Sequence, residues 1–184
     1  MSPSPRTVIF MGVCGCGKSL IGRMFADSVG GVFEDADHFH PKENVAKMSA
    51  GIPLTDEDRW PWFAALRARI VEMRGRTPWY VLACSALKES YRAALRDGDT
   101  GHELVFVFLD GSRDLIKERM AARKGHYMPA SLVDSQFAIL EEPADAVRVS
   151  VDQTPEAILS EVHVRLSPGV PAGGQGGSRP VECS

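Results

Sequence analysis

No apolar run in this 184-residue chain approaches the length needed to cross a membrane. Its start, MSPSPRT, has neither the charged nor the apolar stretch of a secretory signal. A cytoplasmic protein is expected. Neither sign of charge is in large excess: 21 Lys and Arg stand against 24 Asp and Glu, and the pI is about 6.0. This balance gives no general attraction to nucleic acid or to a membrane surface, so any positive site must be a local cluster and the expected partner is a small molecule. Cysteine is scarce, limited to Cys14, Cys16, Cys84 and Cys183, and the first two share a glycine-rich stretch in which a mutual disulfide would be badly strained. All are read as thiols. No internal repeat is visible.

What is present is enough apolar material, 44%, for one buried core. Short apolar runs at 7–11 (TVIFM), 31–34, 79–84 (WYVLAC), 104–109 (LVFVFL) and 147–151 (VRVSV) read as buried strands. Helical stripes lie between them. Leu20, Ile21, Met24, Phe25 and Val29 form the first, stopped by Gly30 and Gly31, and Phe63, Leu66, Ile70 and Met73 form the next, opened by Pro61 at a first-turn position. Leu132, Val133, Gln136, Phe137 and Leu140 make another, and Ile158, Val162 and Leu166 a last one after Thr154-Pro155. Strands alternating with helices predict an α/β fold, a doubly wound parallel sheet covered on both faces. Residues 1–166 are taken as one domain. Residues 167–184, rich in glycine and proline with little to bury, are expected to be a disordered tail.

Gly12, Val13, Cys14, Gly15, Cys16, Gly17, Lys18 and Ser19 fit G-x-x-x-x-G-K-[ST] at every fixed position, between a predicted strand and a predicted helix. Such a loop turns its N–H groups inward at phosphate oxygens, and the following helix adds the positive end of its dipole. Lys18 would neutralise the β- and γ-phosphates of ATP, and the Ser19 hydroxyl would ligate Mg²⁺. The competing reading is a glycine-rich turn with a chance lysine. The loop does not name an acceptor, because the same motif serves many functions.

Acidic residues Asp35 and Asp37 end the second strand run, at the edge where ligands of open α/β sheets bind. They are expected to share one side of an extended strand end, one facing Mg²⁺ and the other the acceptor hydroxyl; helix capping is the alternative. Thr55 and Asp58 suit a capping box, which leaves Arg59 over as a bidentate partner for a carboxylate or as a surface residue. Lys88 and Arg92, four apart, make either a second basic face near the site or a solvated helix face. Arg119, Arg123, Lys124 and His126 surround a Gly-His-Tyr-Met-Pro turn and suggest a mobile lid over the nucleotide, against the plainer reading of a basic helix C-terminus. His38, His40, His102 and His163 show no metal-site spacing.

With GVCGCGKS at 12–19 stand DADHFHP at 35–41, GIPLTDEDRWPW at 51–62, CSALKESYR at 84–92, RKGHYM at 123–128 and SQFAILEEP at 135–143. On these strings the chain resembles, over about residues 8–166, the gluconokinases of the shikimate-kinase-like group. The resemblance implies strand order 2-3-1-4-5, a helical substrate insert near 40–75, a lid near 120–130 and a homodimer. It implies phosphoryl transfer from ATP, with Mg²⁺, to D-gluconate, giving 6-phospho-D-gluconate. It places Asp37 near the acceptor hydroxyl, Asp35 near Mg²⁺ and Arg59 on the acid group. The resulting catalytic set is Lys18, Asp37 and Arg123. Arg119 and Arg123 join the loop in holding nucleotide, and Asp37, His40, Arg59, Lys88, Arg92, His126 and Gln136 form the substrate side. Two positions depart from the family, which usually has serine where this chain has Cys14 and Cys16. Activity is expected to survive because backbone holds the phosphate, while a Cys16 exposed beside Lys18 would make the site sensitive to thiol reagents. The rival readings are a kinase for another acceptor, such as shikimate or a nucleoside monophosphate, and a non-catalytic ATP-binding regulatory protein.

Overall fold

A computed structural model describes residues 6–98, 104–122 and 130–167, the side chains of Ala130 and Ser131 excepted. Five strands, β1 (Arg6–Met11), β2 (Val32–Asp35), β3 (Trp79–Ala83), β4 (Leu104–Asp110) and β5 (Val147–Ser150), pair in parallel in the order β2-β3-β1-β4-β5. This is the order that the resemblance implies. In the central strand β1, Val8, Ile9, Phe10 and Met11 are all buried, as a strand covered on both faces requires. The pleat sends alternate residues to opposite faces, so Val8 and Phe10 join the cluster of Ile21 and Phe25 while Ile9 and Met11 join that of Phe63 and Leu66.

The covering helices are α1 (Lys18–Val29), α2 (Lys42–Ser49), α3 (Asp56–Arg74), α4 (Glu89–Arg96), α5 (Arg113–Ala122), α6 (Ala130–Ile139) and α7 (Pro155–Leu166). Among the described residues none is long and apolar enough to cross a membrane. Pro61 does not open α3, contrary to the expectation from its position: the helix starts at Asp56, and Pro61 lies inside it. The cause is the capping box, in which the Thr55 hydroxyl accepts from Asp58 N and the Asp58 carboxylate accepts from Thr55 N. Pairing those N–H groups secures a start upstream, despite the ladder bond that proline forfeits. The predicted tail lies, beyond Ser167, outside the described residues.

Parallel register sets where the site must lie. Asp35 of β2 and Phe10 of β1 both pair with Ala83 of β3, and Met11 pairs with Phe108 of β4. The carboxyl ends of these strands therefore reach one edge together, and the segments after β1, β2 and β3 emerge side by side.

The sheet carries one well-connected ion pair on its β2 side. Glu34 accepts from Arg69 Nε at 3.0 Å, from Arg69 Nη2 at 2.6 Å and from the Tyr80 hydroxyl at 2.6 Å. The Arg69 hydrogen bonds hold the Glu34 carboxyl below its usual range, against an opposing push from burial, with Tyr80 adding to the lowering. A depressed folded-state pKa contributes stability that is present above the ordinary carboxylate value and is lost as pH falls through the folded value. Glu34→Gln should therefore cost about 1–3 kcal/mol at pH 7, and melting curves should show this deficit shrinking as the buffer is taken below a pH of about 4. A deficit of equal size at every pH would contradict the assignment.

Candidate active site

The glycine-rich loop leaves β1 at Gly12 and closes at Gly17, the left-handed N-cap of α1. Gly12, Gly15 and Gly17 all have positive φ, at 136°, 82° and 101°, a region that side chains resist. Gly12 N donates to Ser85 O at 3.2 Å, tying the loop to the end of β3. The Lys18 ammonium folds back onto the carbonyls of Gly12 at 3.0 Å and Val13 at 2.9 Å, which holds it over the loop. The loop N–H groups and the start of α1 form a concave positive nest suited to phosphate.

Asp35 ends β2 and faces this nest. Its Oδ2 accepts from the Ser19 hydroxyl at 2.6 Å, and its Oδ1 accepts from Asp37 N at 3.1 Å, capping a 3₁₀ turn over Ala36–Phe39. Asp37 thus sits on that turn and is exposed, so the expected arrangement of both carboxylates along one side of an extended strand end is incorrect. The carboxylate of residue 35 caps the chain at once, and the chain curls instead of continuing. The capping alternative and the proximity to Ser19 are both realised.

The turn leads to His40, whose ring stacks on Trp62 with centroids 4.1 Å apart. Trp62 in turn donates to Ala36 O at 2.8 Å, which pins the turn to α3. Burial pushes the His40 imidazole below its ordinary pKa; Asp37 opposes this and Arg59 adds to it. The first turn of α3 also presents Arg59, whose Nη1 donates to the Tyr91 hydroxyl at 3.3 Å and lies 3.5 Å from Asp56 Oδ1. Lys88, the N-cap residue of α4, reaches the same carboxylate at 3.0 Å and 3.2 Å. The Tyr91 hydroxyl donates to Asp56 as well, and this bond, followed by that from Lys88, lowers the Asp56 pKa. Two cations and one carboxylate leave this cluster with a net positive charge.

Arg92 does not belong to that face, contrary to expectation. Its side chain is 1% exposed, and it donates to the carbonyls of Ala86 and Leu87 and to the Glu89 carboxylate. It is a clamp on the turn after β3, where Ala86 adopts φ 45°, unusual for a non-glycine residue. Lys88 and Arg92 part because Lys88 stands at the helix cap while Arg92 lies a full turn inside. Arg119 donates to Val151 O, bracing the segment after β5. Gln136 of α6 accepts from Cys14 N at 2.6 Å and so meets the glycine-rich loop directly. Arg123, Lys124 and His126, and with them most of the expected lid, lie outside the described residues; its first residues, 120–122, end α5.

Sequence reasoning did not single out Asp56 or Tyr91. Asp56 was absorbed by the capping explanation, and the spacing of Tyr91 three residues after Lys88 was its available signal. The condition set for thiol sensitivity, a Cys16 exposed beside Lys18, is not met: Cys16 is buried at 1%, its sulfur packed under Gly12, whereas Cys14 is partly exposed. Burial also pushes the Cys84 thiol up to about 12.

A phosphate nest, a neighbouring carboxylate and hydroxyl, and a separate cationic cluster at one sheet edge fit a P-loop kinase acting on a small acceptor. A family model described as shikimate kinase matches residues 14–165. A gluconokinase of Gluconobacter oxydans is 43% identical over 165 residues, covering 88% of this chain and 92% of that protein. The thermoresistant gluconokinase of Escherichia coli is 38% identical over 156 residues, covering 83% and 88%. The crystal structure of a gluconokinase from Sinorhizobium meliloti aligns with a TM-score of 0.77 at 45% identity, covering 86% of this chain and 89% of that one. Shikimate kinase from Aquifex aeolicus, 17% identical with a TM-score of 0.55, shares the fold. The chain belongs to the gluconokinase family, within the shikimate-kinase-like P-loop kinases.

Among Cys14, Cys16 and Cys84, a maleimide should modify Cys14 first in the native protein, read by peptide mass spectrometry. Faster labelling of Cys16 would contradict the packing of its sulfur beneath the loop.

Proposed function

We propose that the protein catalyses ATP-dependent phosphorylation of D-gluconate at its primary hydroxyl, yielding ADP and 6-phospho-D-gluconate. The observation that carries the reading is the cationic cluster of Arg59 and Lys88 around Asp56, at the same sheet edge as the phosphate loop and the turn that bears Asp37. A sugar acid offers a carboxylate for the first and a distal hydroxyl for the second. The gluconokinases that this chain resembles over most of their length support the choice of acid.

Lys18 and the loop N–H groups would hold the β- and γ-phosphates and carry charge as it develops on the transferring group. Asp37 would orient the hydroxyl and accept its proton as the new P–O bond forms and the bond to the β–γ bridging oxygen breaks, releasing ADP. Arg59 and Lys88 would fix the carboxylate at the far end, so that the chain of the acid spans to the nest. The Ser19 hydroxyl and Asp35 carboxylate, hard oxygen donors 2.6 Å apart beside the nest, fit Mg²⁺, which takes few protein ligands beside phosphate and water. Mg²⁺ held there would neutralise phosphate charge. The proposal places Arg123 and His126 on a closing lid with Arg119 at its base, and treats the protein as a cytoplasmic homodimer.

Lys18→Ala should abolish transfer while leaving the melting temperature within a few degrees, because among the described residues the side chain bonds only the loop carbonyls of Gly12 and Val13. Normal turnover in that variant would remove the loop from the mechanism. Truncating one member of a charge-assisted pair costs about 2–5 kcal/mol, so Arg59→Met should lower kcat/KM for gluconate by roughly 30- to 1,000-fold or more. ATP affinity, measured by calorimetry, should stay unchanged. Glucose, which lacks the carboxylate, should be a poor acceptor for both proteins, and the gap between the two acceptors should narrow in the variant. A gluconate preference that survives intact would place carboxylate recognition elsewhere, with Lys88 the next residue to test.

A further inference from the structure

Lys88 breaks a local rule. It is the N-cap residue of α4, a position that favours a side-chain oxygen, and an ammonium has no acceptor to offer the unpaired N–H groups of a first turn. Its side chain turns instead to the Asp56 carboxylate, at 3.0 Å and 3.2 Å. Lys88 O accepts from Tyr91 N at 3.1 Å and from Arg92 N at 3.2 Å, which leaves the N–H of Glu89, the first residue of the helix, to be met from outside. Its acceptor comes from 52 residues away. The Glu141 carboxylate takes that N–H at 2.6 Å, at a helix end where negative charge is also favoured by the dipole.

Glu141 holds Lys88 from both sides. While its carboxylate accepts from Glu89 N, its own N–H donates to Leu87 O at 2.8 Å, so the residues before and after Lys88 are bonded to one and the same partner. The base of this clamp is itself fixed. Leu140 packs against the core clusters on both faces of the sheet, and Gln136 of α6 accepts from Cys14 N of the glycine-rich loop. Arg92 grips the same turn from within α4, donating to Ala86 O at 2.9 Å and to Leu87 O at 3.3 Å. The extended backbone of Lys88, at φ −101° and ψ 151°, is thus set by bonds on its two neighbours, and its side chain is left for the cluster.

From this geometry we infer that Glu141 is a positioning residue for the acceptor cluster: it caps α4 in place of Lys88 and so aims the Lys88 ammonium at Asp56, beside Arg59. A serine or aspartate at position 88 would cap the helix by itself and bring no cation there. The chain keeps the cation and draws the cap from the segment after α6. The effect of Glu141 on the acceptor passes through Lys88. Its kinetic consequence rests on the proposed reading of Arg59 and Lys88 as partners of the acceptor carboxylate, whereas the clamp does not.

The test is a double-mutant cycle in kcat and KM, with Glu141→Ala, Lys88→Met and the pair. Glu141→Ala keeps the backbone bond to Leu87 and removes the cap alone, so the gluconate KM should rise roughly 3- to 10-fold, with kcat and the ATP KM within about twofold. Glu141→Gln retains an oxygen for Glu89 N and should recover most of the loss. In the Lys88→Met background, Glu141→Ala should add less than about twofold, because the group it positions is gone. Full additivity of the two, or an equal rise in the ATP KM, would make Glu141 a general support of the fold and overturn the inference. A second readout needs no acceptor: acetylation of lysines in the native protein, followed by peptide mass spectrometry. Glu141→Ala should speed modification of Lys88 several-fold, while Lys47 of α2, paired with Asp58, reacts as in the parent. Unchanged labelling of Lys88 would overturn the inference as well. Failure of gluconate as the acceptor leaves this arm intact, so the two claims fail separately. Should Glu141→Ala unfold, Glu141→Asp, one methylene shorter, takes its place in both arms.

Discussion

A β-carbon on residue 12 would lie 2.8 Å from the carbonyl oxygen of Leu109, and that close approach of β4 to the glycine-rich loop is the constraint on which the site depends. Only glycine allows it, and only at φ 136°. On the other flank Gly12 N is bonded to Ser85 O at the end of β3. The loop is therefore gripped between the strands that neighbour β1, which explains why β1 must be central in the order β2-β3-β1-β4-β5. With the entry fixed, the inward N–H groups and Lys18 have no freedom to lose when phosphate arrives, and preorganised donors of this kind supply most of the electrostatic help in phosphoryl transfer.

The two halves of the site use different physics. On the proposed nucleotide side, recognition would be mostly backbone, so cysteines at 14 and 16 would be compatible with it; Cys16 lies in the core. On the proposed acceptor side, recognition would be carried by side chains of α3 and α4, and Asp56 is the member that joins them. It draws Arg59, Lys88 and Tyr91 to one point and leaves a single positive charge in excess. Arginine contributes a planar fork and lysine a point charge, so together they suit one carboxylate better than a neutral hydroxyl. The buried Arg92, by contrast, has its charge engaged by Glu89 and two carbonyls, and stabilises the turn that presents Lys88.

Much of this was legible in the sequence because it is local or periodic. The buried runs gave the strands, and the fixed residues of the phosphate loop required a strand before and a helix after. The misreadings arose where two local rules compete or where a long-range contact decides. At α3 a capping box outweighed the usual place of proline, and the start moved to Asp56. At the end of β2, Asp35 capped the chain into a 3₁₀ turn, so the alternation that put Asp37 beside it no longer applied. Burial of Arg92 and Cys16 depends on packing that spacing along one helix or loop does not encode. The bond from Cys14 N to Gln136 spans 122 residues, and no pattern within either segment announces it.

The central claim is that one sheet edge joins an ATP site to a reader of sugar acids. It is tested most directly by ADP release from the purified protein with Mg²⁺-ATP and a panel of acceptors: gluconate, glucose, shikimate and a nucleoside monophosphate, with the product examined by phosphorus and carbon NMR. The account predicts that gluconate gives the highest kcat/KM and that the phosphate is found on its primary hydroxyl. Faster turnover of another acceptor, phosphate on a different oxygen, or no ADP release with any of them would contradict it.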